Sequence, residues 1–491
     1  MALPQSLVDY ISSLDAAHGL CIDGRREGAA SGKTFTVTDP ATGAHLADVP
    51  DADASDAKRA VDAADAAFAG WAATAPRERS EILRRTFELM HAEAENLAAL
   101  MSAENGKSLA DSRAEVTYAA EFFRWFAEEA VRLEGEYMES PAGGTRTIVT
   151  SRPVGVAALA TPWNFPAAMA TRKIGPALAA GCTVVLKPAS ETPLTVFAIY
   201  DILLRAGVPA GVVNVVPTSD PGAVVGGWLA DERVRKISFT GSTGVGRLLL
   251  SQAAERIVSS SMELGGNAPL VVHKDADIEQ AVAGAMIAKF RNGGQACTAA
   301  NRFYVHEDVK DAFVEAFGAK LEALRVGSAF ENDNEIGPLI THRAVEGVTR
   351  LVDDALDRGA KVAYQAPTPE GGEGSFYPPT LLVDVPEDAD VVLNEIFGPV
   401  VPVVSYSDDD ALVEQLNRTE FGLASYIFSG NLGWALHTAE RTEAGMVGIN
   451  RGIVSDPAAP FGGVKQSGIG REGAHEGVKE FREIQYFSVA W

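Results

Sequence analysis

Two glycine-flanked segments carry the residues best suited to chemistry. Cys297 follows the pair Gly293-Gly294, where the backbone can approach a substrate closely. Upstream, Glu263 precedes a second pair, Gly265-Gly266. A thiol with a nearby carboxylate is typical of covalent attack followed by hydrolysis. If the protein is an enzyme, Cys297 is its predicted nucleophile; the alternative is that it is one of the many isolated cysteines that only pack in a core.

The composition is that of an ordinary globular enzyme. The 491 residues exceed one usual domain, so two or three domains are expected. Hydrophobic residues make up 46 % and charged residues 22 %, which argues against a disordered or fibrous chain. No apolar run approaches the ~20 residues that cross a bilayer, and the first residues lack the charged-then-apolar order of a signal peptide. The sequence therefore predicts a cytoplasmic protein.

Charge and cysteine usage limit the possible partners. The net charge of −24 argues against nucleic acid, and it means that an acidic substrate must be attracted by a local cationic pocket. Three cysteines, Cys21, Cys182 and Cys297, cannot form a disulfide framework in a chain this long. The eight histidines are scattered, and the sequence has no HExxH pair and no Cys-x-x-Cys, so no metal site is predicted.

The first part of the chain is predicted to be mainly helical. Apolar residues at helical spacing predict three core helices, at about 55–73 with Ser55 as a possible N-cap, 80–104 and 109–133. A strand or hairpin is expected at 145–150; it is a candidate arm for subunit contact, although an internal hairpin is equally consistent. The apolar segment 484–491 is predicted to be a strand that needs an edge, for which another subunit is a reasonable partner.

A regular alternation of strands and helices begins near residue 154. Apolar strands separated by helix-length segments predict a parallel, doubly wound sheet, with strands near 154–160, 183–186, 212–216 and 235–239. Ligands of such sheets bind at the carboxyl ends of the strands. After the fourth strand, the glycine-rich turn 241–246 leads into a predicted helix and is suited to hold a pyrophosphate. This turn is a weak indication by itself, since its spacing is not the usual GxGxxG.

A second α/β region is predicted after Glu263. It begins with a strand at 269–272, followed by a helix over about 278–291 that delivers Cys297. Two more helices and an exposed loop rich in Gly, Pro and Glu are expected at about 310–324, 342–358 and 366–375.

Six short blocks resemble motifs of the aldehyde dehydrogenase superfamily and occur in the same order. They are Pro162-Trp163-Asn164, Leu186-Lys187-Pro188, Phe239-Thr240-Gly241-Ser242, Glu263-Leu264-Gly265-Gly266, Gly294-Gln295-Ala296-Cys297 and Glu395-Ile396-Phe397-Gly398-Pro399. The resemblance extends from about residue 20 to 491. Within the superfamily, segments 162–173, 187–190 and 460–468 are most similar to the succinate-semialdehyde dehydrogenases.

The resemblance implies an α/β fold with two doubly wound α/β domains and a small β arm for oligomerisation. The implied dinucleotide-binding domain covers 1–131 and 151–262, and the implied catalytic domain covers 263–455. The arm would consist of 132–150 and 472–491, and 456–471 would return to the cofactor domain. Relatives are usually homodimers or homotetramers, so this chain is expected to associate with copies of itself.

The resemblance also implies a role for each catalytic residue. The Cys297 thiolate would attack the aldehyde, and the side-chain amide of Asn164 with the backbone N–H of Cys297 would hold the oxyanion. After hydride leaves the thiohemiacetal for the nicotinamide, water activated by Glu263 would hydrolyse the thioester. Acyl transfer to coenzyme A is disfavoured, because water activated by this base would compete with that acceptor.

A second group of residues is implied to contact the cofactor. Glu395 and Phe397 would contact the nicotinamide ribose and ring, and Lys187 the adenosine ribose. The other implied contacts lie near the pyrophosphate or along the same cleft: Gly241, Ser242, Gly246, Trp163, Asn164, Pro188, Ala189, Ser190 and Leu264.

Cofactor preference can be argued from charge. NAD-preferring relatives often carry Glu where this chain has Ser190, and a carboxylate there hydrogen-bonds a free 2′-hydroxyl but repels a 2′-phosphate. Ser190 beside Lys187 therefore favours NADP. NAD stays possible, because the neighbouring Glu191 could bring its charge near the same pocket.

Substrate selection is predicted to depend on two arginines and a serine. In succinate-semialdehyde dehydrogenases, the residues matching Arg172, Arg291 and Ser467 bind the distal carboxylate, to which a guanidinium offers a bidentate fork. Arg172 could instead form a surface or cofactor-side ion pair, and Arg291 could be a helix-end cation that offsets the dipole. The residue two positions after Cys297 is Ala299, which excludes the disulfide that some relatives form there.

The predicted reaction is NADP-dependent oxidation of succinate semialdehyde to succinate. The first alternative is another aldehyde, such as glutarate semialdehyde or a general aliphatic aldehyde. The second, from a different class, is a thioester hydrolase or a catalytically silent binding protein, although the presence of both Cys297 and Glu263 argues against silence.

Overall fold

Helices and strands alternate along most of the chain. The computed structural model describes residues 3–369 and 373–490. Within these ranges the helices, labelled in chain order, are α1 (Gln5–Ser13), α2 (Ala54–Ala73), α3 (Pro76–Ala92), α4 (Ala94–Asn105), α5 (Leu109–Glu129), α6 (Pro166–Ala180), α7 (Pro193–Ala206), α8 (Pro221–Ala230), α9 (Thr243–Ala254), α10 (Ile278–Phe290), α11 (Glu307–Glu322), α12 (His342–Asp357), α13 (Asp390–Leu393), α14 (Asp409–Asn417), α15 (Leu432–Arg441) and α16 (Ala474–Lys479).

The strands of the described ranges form two large sheets and three small ones. In chain order they are β1 (Leu20–Ile22), β2 (Arg25–Glu27), β3 (Thr34–Thr38), β4 (His45–Pro50), β5 (Glu136–Glu139), β6 (Arg146–Pro153), β7 (Val156–Ala160), β8 (Thr183–Lys187), β9 (Val213–Val215), β10 (Val234–Thr240), β11 (Ser259–Glu263), β12 (Ala268–Val272), β13 (Ala300–His306), β14 (Lys361–Gln365), β15 (Thr380–Val383), β16 (Val400–Tyr406), β17 (Phe421–Gly422), β18 (Ala424–Phe428), β19 (Met446–Ile449), β20 (Val464–Lys465), β21 (Gly468–Ile469) and β22 (Arg482–Val489).

The first large sheet has the strand order β2-β1-β9-β8-β7-β10-β11-β21. The five strands from β9 to β11 run parallel, which confirms the predicted doubly wound sheet. Their order along the sheet reverses between β7 and β10, so the segments that follow these two strands leave in opposite directions. Such a switch point opens a ligand crevice at the carboxyl ends of the strands.

The predicted helices of the first part are present, with three corrections. Asp53 rather than Ser55 caps α2, because the Asp53 carboxylate accepts hydrogen bonds from the N–H groups of Ser55 and Asp56. The predicted helix at 80–104 is two helices, α3 and α4, because the backbone at Glu93 leaves the helical region (φ −106°, ψ 16°). Finally, α5 ends at Glu129 rather than near residue 133.

The second large sheet has the order β14-β15-β16-β13-β12-β18-β19, and every strand except β14 is parallel to its neighbours. Three predicted site segments lie just before strands of this sheet. Residues 263–266 precede β12, Cys297 precedes β13, and residues 395–399 precede β16. The site is therefore built at the amino ends of this sheet, next to the carboxyl ends of the first, because Glu263 is the last residue of β11.

Both large sheets have buried interiors. Strands β7 and β12 are buried at every residue, as expected of parallel strands covered by helices on both faces. The loop predicted to be exposed at 366–375 is exposed only in part, because Ala366 and Ser375 are buried; residues 370–372 lie outside the described residues. Among the described helices, none is both long and apolar enough to cross a membrane.

A three-stranded antiparallel sheet, which we call the arm, consists of β5, β6 and β22. The predicted last strand is present as β22, and it pairs along its whole length with β6 of the same chain. Because the two strands are far apart in the sequence, local sequence patterns could not predict that they pair. Trp491, the end of the predicted strand, lies outside the described residues.

Candidate active site

The loop that carries Cys297 is formed by a run of left-handed backbone. Helix α10 ends at Phe290, and Asn292, Gly293 and Gly294 have φ angles of 52°, 61° and 79°. Glycine suits the last two positions because it adopts positive φ without strain. A Cβ on Gly294 would also collide with the carbonyl oxygen of Gly398. The loop can therefore turn sharply and bring Cys297 against the segment that precedes β16.

Cys297 is the partly exposed cysteine of the three, since Cys21 and Cys182 are buried. Desolvation by the surrounding protein raises the pKa of Cys297 to about 12, and the nearby guanidinium of Arg172 opposes that shift. The resting side chain is therefore a thiol at neutral pH. Attack on a carbonyl requires a base that removes its proton, because the thiolate is the nucleophile.

Glu263 is a candidate for that base, because its negative charge reaches Cys297. Its side chain is buried, and its Oε2 atom has no hydrogen-bond partner. Burial, followed by the negative charge of Glu472, raises the pKa of Glu263 well above its usual range, while Arg172 and Lys173 act in the opposite direction. A carboxyl group with a raised pKa can hold or release a proton near neutral pH, as general acid–base catalysis requires.

The two glycine-flanked segments lie against each other. A Cβ on Gly266 would collide with the carbonyl oxygen of Cys297, so glycine is needed for the close approach of these backbones. The N–H of Gly266 donates to Glu395 Oε1 (3.1 Å). The structure thus brings the thiol loop, the Glu263 segment and the Glu395 segment together, as the sequence predicted.

Asn164 lies in the turn after β7 and is buried. Its side-chain Nδ2 donates to the Gln295 carbonyl (3.0 Å), and its Oδ1 has no hydrogen-bond partner. An amide nitrogen carries two hydrogens. The second hydrogen is therefore available for an oxyanion formed at Cys297.

The predicted nicotinamide side of the site contains two aromatic rings. Trp163 and Phe397 meet edge to face, with ring centroids 5.5 Å apart. Phe397 has a left-handed backbone (φ 51°), which is uncommon outside glycine and marks a strained position. Burial raises the pKa of Glu395 to about 7, while its bond from Gly266 and the charge of Lys289 favour the ionised form.

The start of α9 provides a cradle for a pyrophosphate. Ser242 is the N-cap residue and makes no capping bond with its side chain, so the first-turn N–H groups keep their donor capacity. A Cβ on Gly246 would collide with the side chain of Leu264. Gly241 donates its N–H to the Glu263 carbonyl (3.0 Å), which joins this turn to the base. These features fit a dinucleotide.

The predicted adenosine end lies after β8, where Pro188 and Ala189 lead from Lys187 to Ser190. Burial lowers the pKa of Lys187, and the charge of Glu191 opposes that effect. Ser190 donates its hydroxyl proton to Glu191 Oε2 (3.1 Å). The Glu191 carboxylate therefore lies beside Ser190, as the sequence suggested it could.

Arg172, one of the predicted substrate contacts, lies in the protein interior. Its side chain is buried and forms an ion pair with Glu472, which also pairs with Lys173. The guanidinium carbon lies 4.2 Å from the centre of the Phe461 ring. The positive charge of Arg172 still reaches Cys297 and Glu263, but Glu472 already neutralises much of it. An ion pair is therefore present, but it is buried and is not the surface pair raised as an alternative.

Arg291 lies near the thiol, and its charge also reaches the buried carboxyl group of Asp111. Its side chain is partly exposed and stacks on Phe165, with the guanidinium carbon 5.0 Å from the ring centre. Among the described residues, no ion pair at 4.0 Å or less includes Arg291. Its positive charge lowers the pKa of Cys297, which burial otherwise raises. Arg291 can thus receive an anionic group close to the thiol.

Ser467 is buried, and its hydroxyl both donates and accepts a hydrogen bond within the protein. It donates to the Gly265 carbonyl (2.7 Å) and accepts from the Gly422 N–H (2.9 Å). A substrate carboxylate would need the hydroxyl proton that Gly265 already receives. Ser467 therefore joins these two segments, and its contact with the substrate stays a prediction.

Comparison with known proteins agrees with this arrangement. The profile of the aldehyde dehydrogenase family matches residues 27–487. The chain belongs to the aldehyde dehydrogenase family.

Three relatives show how close the likeness is. A succinate-semialdehyde dehydrogenase of Paenarthrobacter nicotinovorans is 51 % identical over 85 % of this chain and 93 % of the relative. A glutarate-semialdehyde dehydrogenase of Pseudomonas putida is 47 % identical over 96 % and 97 %. A solved structure of an NADP-dependent enzyme from E. coli superposes with a TM-score of 0.96 at 46 % identity, covering 98 % of this chain and 99 % of that one.

In this aldehyde dehydrogenase, Glu472 is a buried residue of the site that no sequence motif indicated. Glu472 is buried between Arg172 and Lys173 and affects the pKa of Glu263. One signal could have indicated it: Arg172 and Lys173 are the charged residues of α6, a helix otherwise rich in alanine and buried throughout. Buried charges are usually paired, so such a helix requires an anion from elsewhere.

Within the described part of this aldehyde dehydrogenase, no group of three or more His, Cys, Asp and Glu side chains could hold a metal ion.

Proposed function

We propose that the protein oxidises succinate semialdehyde to succinate with NADP. One observation carries the choice of substrate: the partly exposed side chain of Arg291 lies near Cys297 and, among the described residues, forms no ion pair at 4.0 Å or less, although its charge reaches Asp111. An aldehyde with an anionic far end would supply an ion-pair partner, and an arginine can bind a carboxylate through two parallel hydrogen bonds. A neutral aldehyde would leave the Arg291 guanidinium without a close anionic partner.

In the proposed mechanism, each side chain of the site either transfers a proton or stabilises a charge. Glu263 removes the proton of Cys297, whose sulfur then attacks the aldehyde carbon. The oxyanion of the thiohemiacetal accepts hydrogen bonds from Asn164 Nδ2 and the Cys297 N–H. NADP, when bound, supplies the acceptor for the hydride. Collapse of the oxyanion expels that hydride and leaves a thioester on Cys297.

Hydrolysis completes the reaction. The proton that Glu263 took from Cys297 first passes to solvent, so that the carboxylate can take a proton from water. The hydroxide attacks the thioester carbon, the carbon–sulfur bond breaks to release succinate, and Glu263 returns its proton to the Cys297 thiolate. The aldehyde has then lost two electrons and gained one oxygen from water. A buried carboxyl group with a raised pKa suits this second proton transfer as well as the first.

Features of the adenosine end support NADP as the preferred cofactor. Lys187 offers a cation for the 2′-phosphate, and Ser190 places a hydroxyl rather than a carboxylate at the position that favours NAD in relatives. The E. coli neighbour in structure is named an NADP-dependent enzyme. The carboxylate of Glu191 beside Ser190 leaves NAD as a usable, weaker cofactor.

The remaining predicted roles belong to the same proposal. Residues 1–131 and 151–262 would bind the dinucleotide through the contacts described above, and residues 263–455 would supply the thiol.

The arm has exposed apolar side chains that a second copy of the chain would cover: Tyr137, Met138, Ile484, Tyr486 and Phe487. We therefore expect a homodimer or homotetramer. The free thiols fit the reducing cytoplasm.

A small matrix of substrates tests the function. Succinate semialdehyde, glutarate semialdehyde and butanal would each be combined with NADP and NAD, and reduced cofactor followed by absorbance. We expect the highest kcat/KM for succinate semialdehyde with NADP, and no activity after Cys297→Ala. Aldehyde-independent thioester hydrolysis without cofactor reduction would instead identify the hydrolase alternative.

Glutarate semialdehyde is the second candidate, because one of the relatives above is named for it. It differs from succinate semialdehyde by one methylene, and a single methylene changes selectivity by roughly 10- to 200-fold at most. A kcat/KM for glutarate semialdehyde above that for succinate semialdehyde would assign the longer substrate. A highest kcat/KM with butanal would remove the carboxylate from the proposal.

A further inference from the structure

Two buried charges outside the residues assigned above converge on the backbone of Asn164. Lys107 lies between α4 and α5, Glu115 lies on α5, and both side chains are fully buried and form an ion pair. The chain enters this region through Gly106, whose left-handed backbone (φ 89°) ends α4. A Cβ on Gly106 would lie 2.7 Å from Pro338. The turn therefore directs Lys107 inward.

The ammonium group of Lys107 touches the turn that carries the oxyanion donor. It donates to the carbonyl oxygen of Asn164 (2.6 Å) as well as to Glu115 Oε2. It also lies 4.1 Å from the centre of the Phe165 ring. Lys107 thus holds the backbone of Asn164 and the side chain of the next residue.

Glu115 holds the same turn from the other side. Its Oε1 accepts hydrogen bonds from the N–H groups of Ala167 (3.0 Å) and Ala168 (3.2 Å), in the first turn of α6. These donors have no partner within the helix, and a carboxylate at a helix N-terminus is stabilised by them. The two members of the ion pair therefore hydrogen-bond to opposite ends of the short segment from Asn164 to Ala168.

The same helix also holds the loop of the nucleophile. Asp111, one turn before Glu115 on α5, accepts a hydrogen bond from the Asn292 N–H (2.8 Å). The side chain of Asn292 then donates to the Asn164 carbonyl (2.8 Å). Both donors of the proposed oxyanion hole, Asn164 Nδ2 and the Cys297 N–H, thus lie in segments that α5 ties together.

Stability alone gives a weak reason for such an ion pair. Desolvation of two charges offsets most of their attraction, and apolar residues of similar volume often stabilise a fold as well or better. Positioning gives a stronger reason, since hydrogen bonds to a developing oxyanion are effective only when the donors are held in place beforehand.

We propose that Lys107 and Glu115 are positioning residues that fix Asn164 for stabilisation of the oxyanion. The inference rests on the proposed function, because it requires an oxyanion at Cys297. Neither residue touches the substrate. Their effect is transmitted through the Asn164 carbonyl and the first turn of α6.

The decisive variant replaces the pair by apolar residues, Lys107→Met with Glu115→Leu, so that no unpaired charge is left behind. Cofactor reduction would be followed in a single turnover with succinate semialdehyde and NADP, enzyme being in excess. Alkylation of Cys297 would count the intact sites, because Cys21 and Cys182 are buried. The melting temperature reports on the fold. Arg26→Met with Asp201→Leu, which removes an ion pair between β2 and α7, is the matched control.

We expect the rate constant per intact site to fall at least about tenfold, but less than the about 10²- to 10³-fold lost with a whole oxyanion-hole donor. The melting temperature, the KM for NADP and the control should change little. An unchanged rate constant per site overturns the inference, and so does a loss explained entirely by fewer intact sites. If the wild-type protein itself reduces no cofactor, the proposed function fails first and the inference fails with it.

A second variant covers the case in which the double variant does not fold. Glu115→Gln keeps an oxygen acceptor for α6 but takes the counter-charge from Lys107. We expect a smaller loss in the same rate constant, with the count of alkylatable Cys297 unchanged. An unchanged rate constant in this variant overturns the inference in the same way.

Discussion

The carboxylate of Glu472 pairs with the guanidinium of Arg172, and both side chains are buried beside Glu263. Because Glu472 raises the pKa of Glu263, Glu472→Gln should lower that pKa. The base would then lose its proton at lower pH, so the acidic limb of kcat/KM against pH should move to lower pH. Glu476→Gln, on α16 nearby, is the control and should leave the profile in place. A shift of the limb to higher pH would contradict the prediction.

Replacement of Arg291 and replacement of Arg172 should have different effects on the kinetics of a charged and a neutral aldehyde. Arg291→Met is expected to raise the KM for succinate semialdehyde about 10- to 100-fold, the usual size for a lost charge-assisted hydrogen bond, with little change for butanal. Arg172→Met should impair both aldehydes, because it removes one of the two cations that pair with Glu472 and so raises the pKa of Glu263 further. Steady-state kinetics on the two aldehydes measures this. Arg113→Met, which removes an exposed arginine paired with Glu95, is the control; equal losses for both aldehydes in Arg291→Met would contradict carboxylate binding.

Cys297 should react in the free enzyme as a partly exposed thiol with a raised pKa. Its pKa of about 12 means that the thiolate fraction, and hence the rate of alkylation by iodoacetamide, should keep rising through pH 9 to 10. Timed alkylation followed by mass spectrometry measures the rate at each pH. A plateau near pH 8 would show that the free enzyme already activates the thiol, and Glu263 would not be required for that step.

Local sequence patterns were sufficient to predict the strands and turns that position the site. Apolar runs located β7, β8 and β10, and glycine pairs correctly marked places where two backbones meet, as at Gly266 and Cys297. Both signals depend on short-range properties, namely burial on both strand faces and the absence of a Cβ.

Partners that are distant in the chain could not be predicted in this way. Glu472 meets Arg172 only because α6 and the segment before α16 fold together, and no periodicity encodes that contact. The hydroxyl of Ser467 is used by two backbone groups whose positions depend on tertiary packing. The resemblance to relatives indicated which residues belong to the site. Their hydrogen-bond partners could be identified only from the folded structure.

The carboxylate beside Ser190 should weaken the preference for NADP. In Glu191→Gln, loss of a partly exposed charge near the 2′-phosphate is worth up to about 1 kcal/mol, or about fivefold. We therefore expect a lower KM for NADP and an unchanged KM for NAD, whose 2′-hydroxyl carries no charge. Measurement of both KM values tests this, with Glu95→Gln as a distant control. Parallel changes for the two cofactors would point to altered binding of the shared adenosine instead.

The contact between Gly266 and the Cys297 carbonyl should be the least tolerant point of the site. A Cβ in Gly266→Ala has no room and must displace the thiol loop, so we expect kcat to fall by more than about tenfold, since small misplacements of reacting groups cost up to roughly 100-fold. Gly227→Ala in α8 is the control: its Cβ would meet nothing within 4 Å, and alanine within a helix should stabilise the fold by about 0.5–1 kcal/mol. Steady-state kinetics together with thermal unfolding distinguishes the two. Full activity of Gly266→Ala would mean that the loop can move away from the Glu263 segment without loss of function, and that the close approach of these backbones is not needed for catalysis.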